Sequence, residues 1–302
     1  MHAYVISLHG EEDARNRALL ALLERNGITS QLIEAIDGKK IEAATYFTQT
    51  QNYLWSKQRL VTPSELGCAL SHKKAYEEFL RSGESAALFF EDDVILTDRA
   101  CDEIHCLARL GYQEEGYVHL GGLEGAPPAH IGIRGRLVNE RPRTFKIFPY
   151  DLRLLRRTVG YLISRDIAEK CVSALNGFMQ IMDDFECLTQ NAGIENFYFA
   201  DIVSHPPTFA VSALQDERLT LWASPAFRGN PWGVRAALAR SFNVRKRRLV
   251  DAATRLFDRR LSVPVFAEGD PSSAEFRATP EKMEYSQNSF DRSVPNDLVQ
   301  DE

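Results

Sequence analysis

Apolar and polar positions follow two rhythms along this chain, and their order predicts an α/β fold with a mostly parallel sheet flanked by helices. Ala3 to Leu8 is an apolar run with the length of a buried strand. From Glu11 to Asn26 the period changes, placing Leu19, Leu22 and Leu23 on one helical face, with Gly27 as the stop. Gln31 to Ala35 reads as the next strand and ends in Ile36-Asp37-Gly38, so the opening is β-α-β. Leu54 to Val61 reads as a connector. Thr62-Pro63-Ser64-Glu65 has the spacing of a capping box with proline at the first helical position, and the helix it starts runs to about Leu80. Leu88 to Phe90 is too short and too apolar for anything but the end of a buried strand. Asp98 to Leu110 reads as a helix and Tyr117 to Gly122 as a strand. Ala126 to Phe148, with prolines, glycines and no sustained period, reads as a long irregular segment of the kind that forms lids and substrate loops. Thr158 to Ser164 is a strand whose last residue caps a helix through about Leu175. Ile202-Val203-Ser204 ends at His205, stiffened by Pro206 and Pro207.

Composition narrows the class. With 302 residues, 44% of them hydrophobic and 26% charged, the chain can bury a full core. Five cysteines lie scattered, with no C-x-x-C pair, which argues against a zinc ribbon or disulfide framework and fits a reducing cytoplasm. No basic, apolar leader precedes the first strand, and no apolar run has the length of a membrane span, so a cytoplasmic protein is expected. The net charge of −6 is unevenly spread. Arg228 to Arg260 carries ten Lys/Arg against two Asp, whereas Pro264 to Glu302 carries nine acids against three bases. The expected organisation is therefore a catalytic domain over residues 1–224, a basic amphipathic helical appendage over 225–263 and an acidic, flexible tail over 264–302. The basic helix suits an anionic membrane surface, which would place the protein on the inner face of the cytoplasmic membrane. A helix packed on the domain with a solvated basic face accounts for it equally well. Sparse aromatic residues disfavour nucleic acid.

Candidate chemistry centres on Glu91-Asp92-Asp93, three adjacent carboxylates at the carboxyl end of a predicted strand, where open α/β sheets bind ligands. Such acids repel one another unless a cation, an arginine or backbone donors offset them, and hard oxygen ligands suit Mg²⁺ or Mn²⁺. An acidic turn facing solvent is the plain alternative. Ser7 to Gly10 and Ala35 to Gly38 would lie side by side at parallel strand ends, where a nucleotide base and ribose could sit, although no G-x-G-x-x-G or Walker pattern is present. Glu65, Cys68 and His72 share one helical face. Asp183-Asp184 repeats the theme of paired acids in apolar surroundings, with a helix N-terminus as the alternative reading. His205 could complete a metal's shell, and Gly160 could admit a ligand close to the backbone or be an ordinary bulge glycine.

Taken together, Val5-Ile6-Ser7-Leu8 with Arg15 downstream, Ala35-Ile36-Asp37-Gly38, Thr62 to His72, Phe90-Glu91-Asp92-Asp93-Val94 and Thr158 to Ser164 resemble glycosyltransferase family 25 in content and order. The E-x-G-C-x-L-S-H segment followed by E-D-D-V is the specific part. The resemblance implies a GT-A-type, Rossmann-like fold and an inverting, metal-dependent hexosyl transfer. The donor implied is a UDP-sugar (galactose, then glucose), and the acceptor a hydroxyl of a cell-surface glycan or lipooligosaccharide. Carried onto this chain it implies Asp93, Glu91 and His205 as ligands of Mn²⁺ or Mg²⁺, and Asp184, then Asp183, as the catalytic base. It places Ser7, Leu8, Arg15, Ala35, Asp37, His72, Glu91, Asp92 and Gly160 around the nucleotide sugar. Glu91 stands where the family's D-x-D motif usually has its first Asp. A metal-dependent sugar nucleotidyltransferase and a non-catalytic protein of the same fold are the alternatives; the former usually carries a glycine-rich, basic loop, which Ser7 to Glu12 does not resemble.

Overall fold

The computed structural model describes residues 1–57, 59–124, 133–206, 217–218 and 263–265. In chain order the elements are β1 (His2–Ser7), α1 (Ala14–Arg25), β2 (Thr29–Glu34), a 3-10 turn (Gly38–Lys40), α2 (Ala43–Lys57), α3 (Pro63–Ser82) and β3 (Ala86–Glu91). Then follow α4 (Asp98–Arg109), α5 (Tyr112–Glu115), β4 (Tyr117–Gly121), β5 (Arg134–Glu140), β6 (Arg143–Ile147), a 3-10 turn (Pro149–Leu154), β7 (Gly160–Ser164), α6 (Arg165–Gly177), α7 (Phe185–Ala192), β8 (Phe197–Val203) and β9 (Val263–Pro264).

The strands form one sheet in the order β2-β1-β3-β7-β4-β8-β6-β5-β9. β1 pairs in parallel with β2 and β3, and β4 with β8, while β7, β6 and β9 run against their neighbours. Most strands therefore point one way, as the β-α-β opening predicts. Period-two alternation divides the core between the two faces. Tyr4, Phe89, Tyr161, Tyr117 and Phe199 pack with α3, α6 and α7 on one side, whereas Val5, Leu88, Phe90, Val118 and Tyr198 pack with α1 and α4 on the other. On the first face Phe89, Tyr161, Tyr117 and Phe197 stack in sequence at 5.1, 4.9 and 5.1 Å between ring centroids, tying β3, β7, β4 and β8 together.

Two expectations are corrected. The connector assigned to Leu54–Val61 begins inside α2, whose buried side, Thr50 and Tyr53, is too polar to announce a helix by periodicity. The irregular segment from Ala126 to Phe148 contains the β5–β6 hairpin: Phe145 and Ile147 are buried, but their alternation is hidden among arginines. Its described part is thus regular structure, and residues 125–132 lie outside the described set.

The described residues all lie in the first of two units, Met1–Phe266. The basic appendage, save for Val263 at its end, and the tail beyond Val265 lie outside the described residues. Within the first unit, Val263–Pro264 pairs with β5, and the Val265 amide donates to Ile133 O at 3.1 Å.

Candidate active site

Parallel pairing puts the carboxyl ends of β1, β2 and β3 on one edge of the sheet, and the residues entering antiparallel β7 arrive at the same edge. The candidate site is built there.

α3 owes its position to the motif that starts it. The Thr62 hydroxyl accepts from the Glu65 amide at 3.1 Å and the Glu65 carboxylate accepts from the Thr62 amide at 2.8 Å, completing the capping box. Gly67 must lack a side chain, because a Cβ there would stand 2.5 Å from Ile36 O. One turn on, the Ser71 hydroxyl accepts from the Ile36 amide at 2.8 Å, pinning the Ala35-Ile36-Asp37-Gly38 segment to the helix. The motif residues Glu65, Gly67 and Ser71 thus serve architecture, and they aim His72 at the end of β3.

Glu91, the last residue of β3, receives the Thr158 hydroxyl and His72 Nε2 (3.2 Å) on the same oxygen, Oε1. Among the described residues its Oε2 has no hydrogen bond. Asp92 accepts from the Ser7 hydroxyl, and Ser7 in turn is held by Asn16 Nδ2 at 3.1 Å. Burial raises the Asp92 pKa above the ordinary carboxylate range despite that hydrogen bond. Asp93 lies 2.9 Å from His205 Nε2 through Oδ2, while its buried Oδ1 has no partner among the described residues. Burial would raise the Asp93 pKa, but His205 and the Arg157 charge outweigh it and hold it low. A bridge between Ile95 and Ser204 delivers His205 to this place.

His205 Nδ1 donates to Pro206 O at 2.6 Å, which leaves Nε2 facing the Asp93 carboxylate. The ring nitrogen and the carboxylate oxygen could bind one ion side by side. Oxygen and imidazole nitrogen at this separation, with a second carboxylate oxygen unpaired, fit a divalent cation.

The second pair of acids is compensated differently. Asp184 caps α7: Oδ1 accepts from the Cys187 amide at 3.1 Å, and Oδ2 accepts from Tyr53 Oη at 2.9 Å with Lys57 Nζ 3.6 Å away. The plain reading of Asp184 as a helix-start residue is therefore realised. Asp183 sits 3.5 Å from Arg218 Nη2, and Arg218 also bonds Glu65 Oε1 at 2.6 Å, where Arg59 joins it. Burial pushes the Asp183 pKa up, but Arg218, Arg156 and Arg59 pull it below the ordinary range.

Arg157 connects the two acid groups. Its charge interacts with Asp93, Glu124, Glu91 and Asp183, and burial lowers its own pKa. The residue holds φ +68°, a left-handed conformation uncommon for a side chain of this size. His119 secures it, donating from Nε2 to Arg157 O at 2.9 Å and accepting the Gly121 amide on Nδ1 at 3.1 Å. Burial holds this imidazole neutral, with its pKa pushed down to about 4.

Other candidates make fewer links to this network. Leu8 is exposed, Asp37 caps its own turn by accepting from the Lys39 amide, and Arg15 pairs with Asp13 at 3.4 Å while its charge also acts on Asp92. Ala35 adjoins β1 through its amide, which donates to Ser7 O at 2.7 Å. Gly160 lies opposite Phe90, where a Cβ would meet the ring at 3.0 Å, so packing explains this glycine. Sequence reasoning did not single out Arg157, Arg218, Arg59, Tyr53 or Thr158. The basic pair Arg156-Arg157 just before an apolar strand was the available signal.

The strands form a mixed α/β sheet, most of them pointing one way, with acids clustered at the strand ends. Residues 1–185 match the model of Glycosyltransferase family 25, described as an LPS biosynthesis protein family, and the chain belongs to that family. Among curated relatives, the bovine "Probable inactive glycosyltransferase 25 family member 3" is 34% identical over 96 residues, covering 30% of this chain and 16% of the relative. The mouse "Inactive glycosyltransferase 25 family member 3" is 32% identical over 144 residues, covering 44% and 24%. The chain thus spans less than a quarter of the length of these relatives. Solved structures with distant likeness include a mannose-1-phosphate geranyltransferase from Thermus thermophilus (12% identity, 68% of this chain and 74% of that one, TM-score 0.36). Another is the inositol-1-phosphate CTP transferase from T. maritima (11% identity, 74% and 96%, TM-score 0.35).

Proposed function

We propose that this chain is a metal-dependent, inverting hexosyltransferase that moves galactose, or next glucose, from a UDP-sugar to a hydroxyl of a cell-surface glycan or lipooligosaccharide acceptor. The observation that carries the reading is the Asp93–His205 pair, with a buried carboxylate oxygen left unpartnered beside it. Asp93 and His205 would hold Mn²⁺ or Mg²⁺, with Glu91 beside them. The bound ion would supply Lewis-acid relief of the charge that builds on the departing diphosphate, an effect of several kcal/mol.

The chain's own residues do the rest. Ser7, Ala35 and Asp37 flank adjoining strand ends, where base and ribose would lie. The acceptor proton goes to a carboxylate oxygen of the Asp183-Asp184 pair. Asp183 is favoured, because it shares Arg157 with the first acid group, while both oxygens of Asp184 are engaged by Cys187, Tyr53 and Lys57. The buried Arg157 places a positive charge near Asp93, Glu91 and Asp183 alike.

Incubation with a panel of nucleotide sugars and Mn²⁺, scoring release of nucleoside diphosphate, tests the proposal. Release from UDP-hexoses that depends on acceptor and metal is expected, and no release from any donor would reject it. The names of the mammalian relatives favour a second reading, a family member that binds without transferring. UDP-sugar binding without turnover would support that one. For the basic segment, which lies outside the described residues, we propose attachment to the inner face of the cytoplasmic membrane, where lipid-linked acceptors would be met. Failure to float with anionic liposomes at low salt would reject attachment.

A further inference from the structure

A separate set of donors lies beside the Asp93–His205 pair. Cys68 and His72 stand one turn apart on α3, and Glu91 ends β3 against them. One ligand atom from each of the three lies within 4.8 Å of the other two. We propose that Cys68, His72 and Glu91 bind a thiophilic divalent cation, Zn²⁺ foremost, at a site that shares Glu91 with the one proposed to serve the nucleotide sugar.

The donor types carry the argument first. Sulfur, imidazole nitrogen and carboxylate oxygen together form a set that Zn²⁺ accepts, whereas Mg²⁺ and Mn²⁺ prefer oxygen. Three protein donors leave the fourth position of a tetrahedral ion for water or a substrate oxygen.

Orientation is supplied in advance. His72 Nδ1 lies 2.7 Å from Tyr161 Oη and Nε2 lies 3.2 Å from Glu91 Oε1. A ring that binds the ion through Nε2 carries its proton on Nδ1 and donates it to Tyr161; such an outer partner is the usual companion of a metal-binding histidine. α3 is fixed by its capping box and by Ser71 on Ile36, so Cys68 and His72 hold their spacing without the ion. Two anionic donors would neutralise the dication, with His72 buried and Cys68 and Glu91 half-buried.

A consequence rests on the proposed transfer reaction. Glu91 cannot serve both sites at once, so Zn²⁺ bound here would inhibit Mn²⁺-supported transfer.

Binding itself is tested without donor or acceptor, which separates its failure from failure of the proposed function. The full chain, stripped with a chelator, is titrated with Co²⁺ as a spectroscopic substitute for Zn²⁺. At one equivalent a near-ultraviolet thiolate-to-Co²⁺ charge-transfer band is expected, and Zn²⁺ should abolish it. Cys68→Ser should remove the band and weaken Zn²⁺ by more than about 100-fold, beyond the 10- to 100-fold typical of losing an outer partner. His72→Ala should do the same, whereas Asp93→Asn should keep the band. No band at one equivalent, or a band that persists in Cys68→Ser on the other four cysteines, overturns the proposal.

Discussion

Glu91-Asp92-Asp93 and Asp183-Asp184 look alike in sequence, each a run of acids against apolar residues, yet the fold treats them in opposite ways. The first group is met at hydrogen-bond distance by hydroxyls and imidazoles, Ser7 on Asp92, Thr158 and His72 on Glu91 and His205 on Asp93, with the Arg157 charge also acting on Asp93. The second is met by cations, with Arg218 and the neighbouring arginines on Asp183 and Lys57 on Asp184. Hydroxyls orient a carboxylate without cancelling its charge, so the first group keeps a demand for a cation. Guanidinium groups satisfy that demand outright, so the second group needs no metal. A metal, if one binds the hard-oxygen site, belongs with Asp93.

Perturbations of each group sharpen this contrast. The largest effect is expected from Asp93→Asn, which should lower metal-dependent transfer by 10³-fold or more, several kcal/mol at about 1.4 kcal/mol per decade, while the melting curve stays close to wild type. Undiminished transfer at limiting Mn²⁺ would erase the distinction between the two groups. For Asp183→Asn, kcat should fall by about 10²- to 10³-fold with donor affinity nearly constant. Asp184→Asn should be milder, since Asn also caps a helix well. The reverse ranking would assign the base to Asp184.

Removing a compensating cation comes next. Arg218→Ala strips a charge from Glu65, whose side chain is 1% exposed, and from Asp183. The expected cost is about 3 kcal/mol in urea unfolding, the low end for breaking a buried pair because Arg59 remains on Glu65. On the other group, Ser7→Ala removes one hydrogen bond to Asp92 and should cost about 1.5 kcal/mol, the range for a bond to a charged acceptor.

The smallest effect is a pH dependence. Burial alone would raise the folded pKa of Asp183, but the arginines beside it hold it below the ordinary carboxylate value. Its contribution to stability is present above that value and lost as pH falls through the lower folded value. Urea melts at neutral pH and near pH 3 should therefore show the gap between wild type and Asp183→Asn narrowing in acid. A gap that is constant with pH would mean that the arginines do not favour the charged form.

Much of this scaffold was legible beforehand. The capping box at Thr62, the buried strand through Leu88–Phe90, the cap at Ser164 and the parallel opening are local patterns, and each appears where its residues predict, the strand running one residue further to Glu91. α2 and the β5–β6 hairpin were missed because their buried positions are few and interleaved with polar side chains. Within the site, Glu91, Asp93 and His205 were identifiable from residue type and position, and so were Asp183 and Asp184. Arg157, Arg218 and Tyr53 were not, because an arginine or tyrosine in a polar stretch carries no sign of the acid it will face.

Local spacing by itself settled where helices start, which face of each strand is buried and that acids would gather at one edge, since these follow from backbone geometry over a few residues. Pairing across long separations was decided by tertiary structure: His205 onto Asp93, Tyr53 onto Asp184, Arg218 onto both Glu65 and Asp183. The charge state of a carboxylate depends on what stands within a few ångströms of it in space. Chain order does not fix those neighbours, so two acid runs that read the same became chemically unlike.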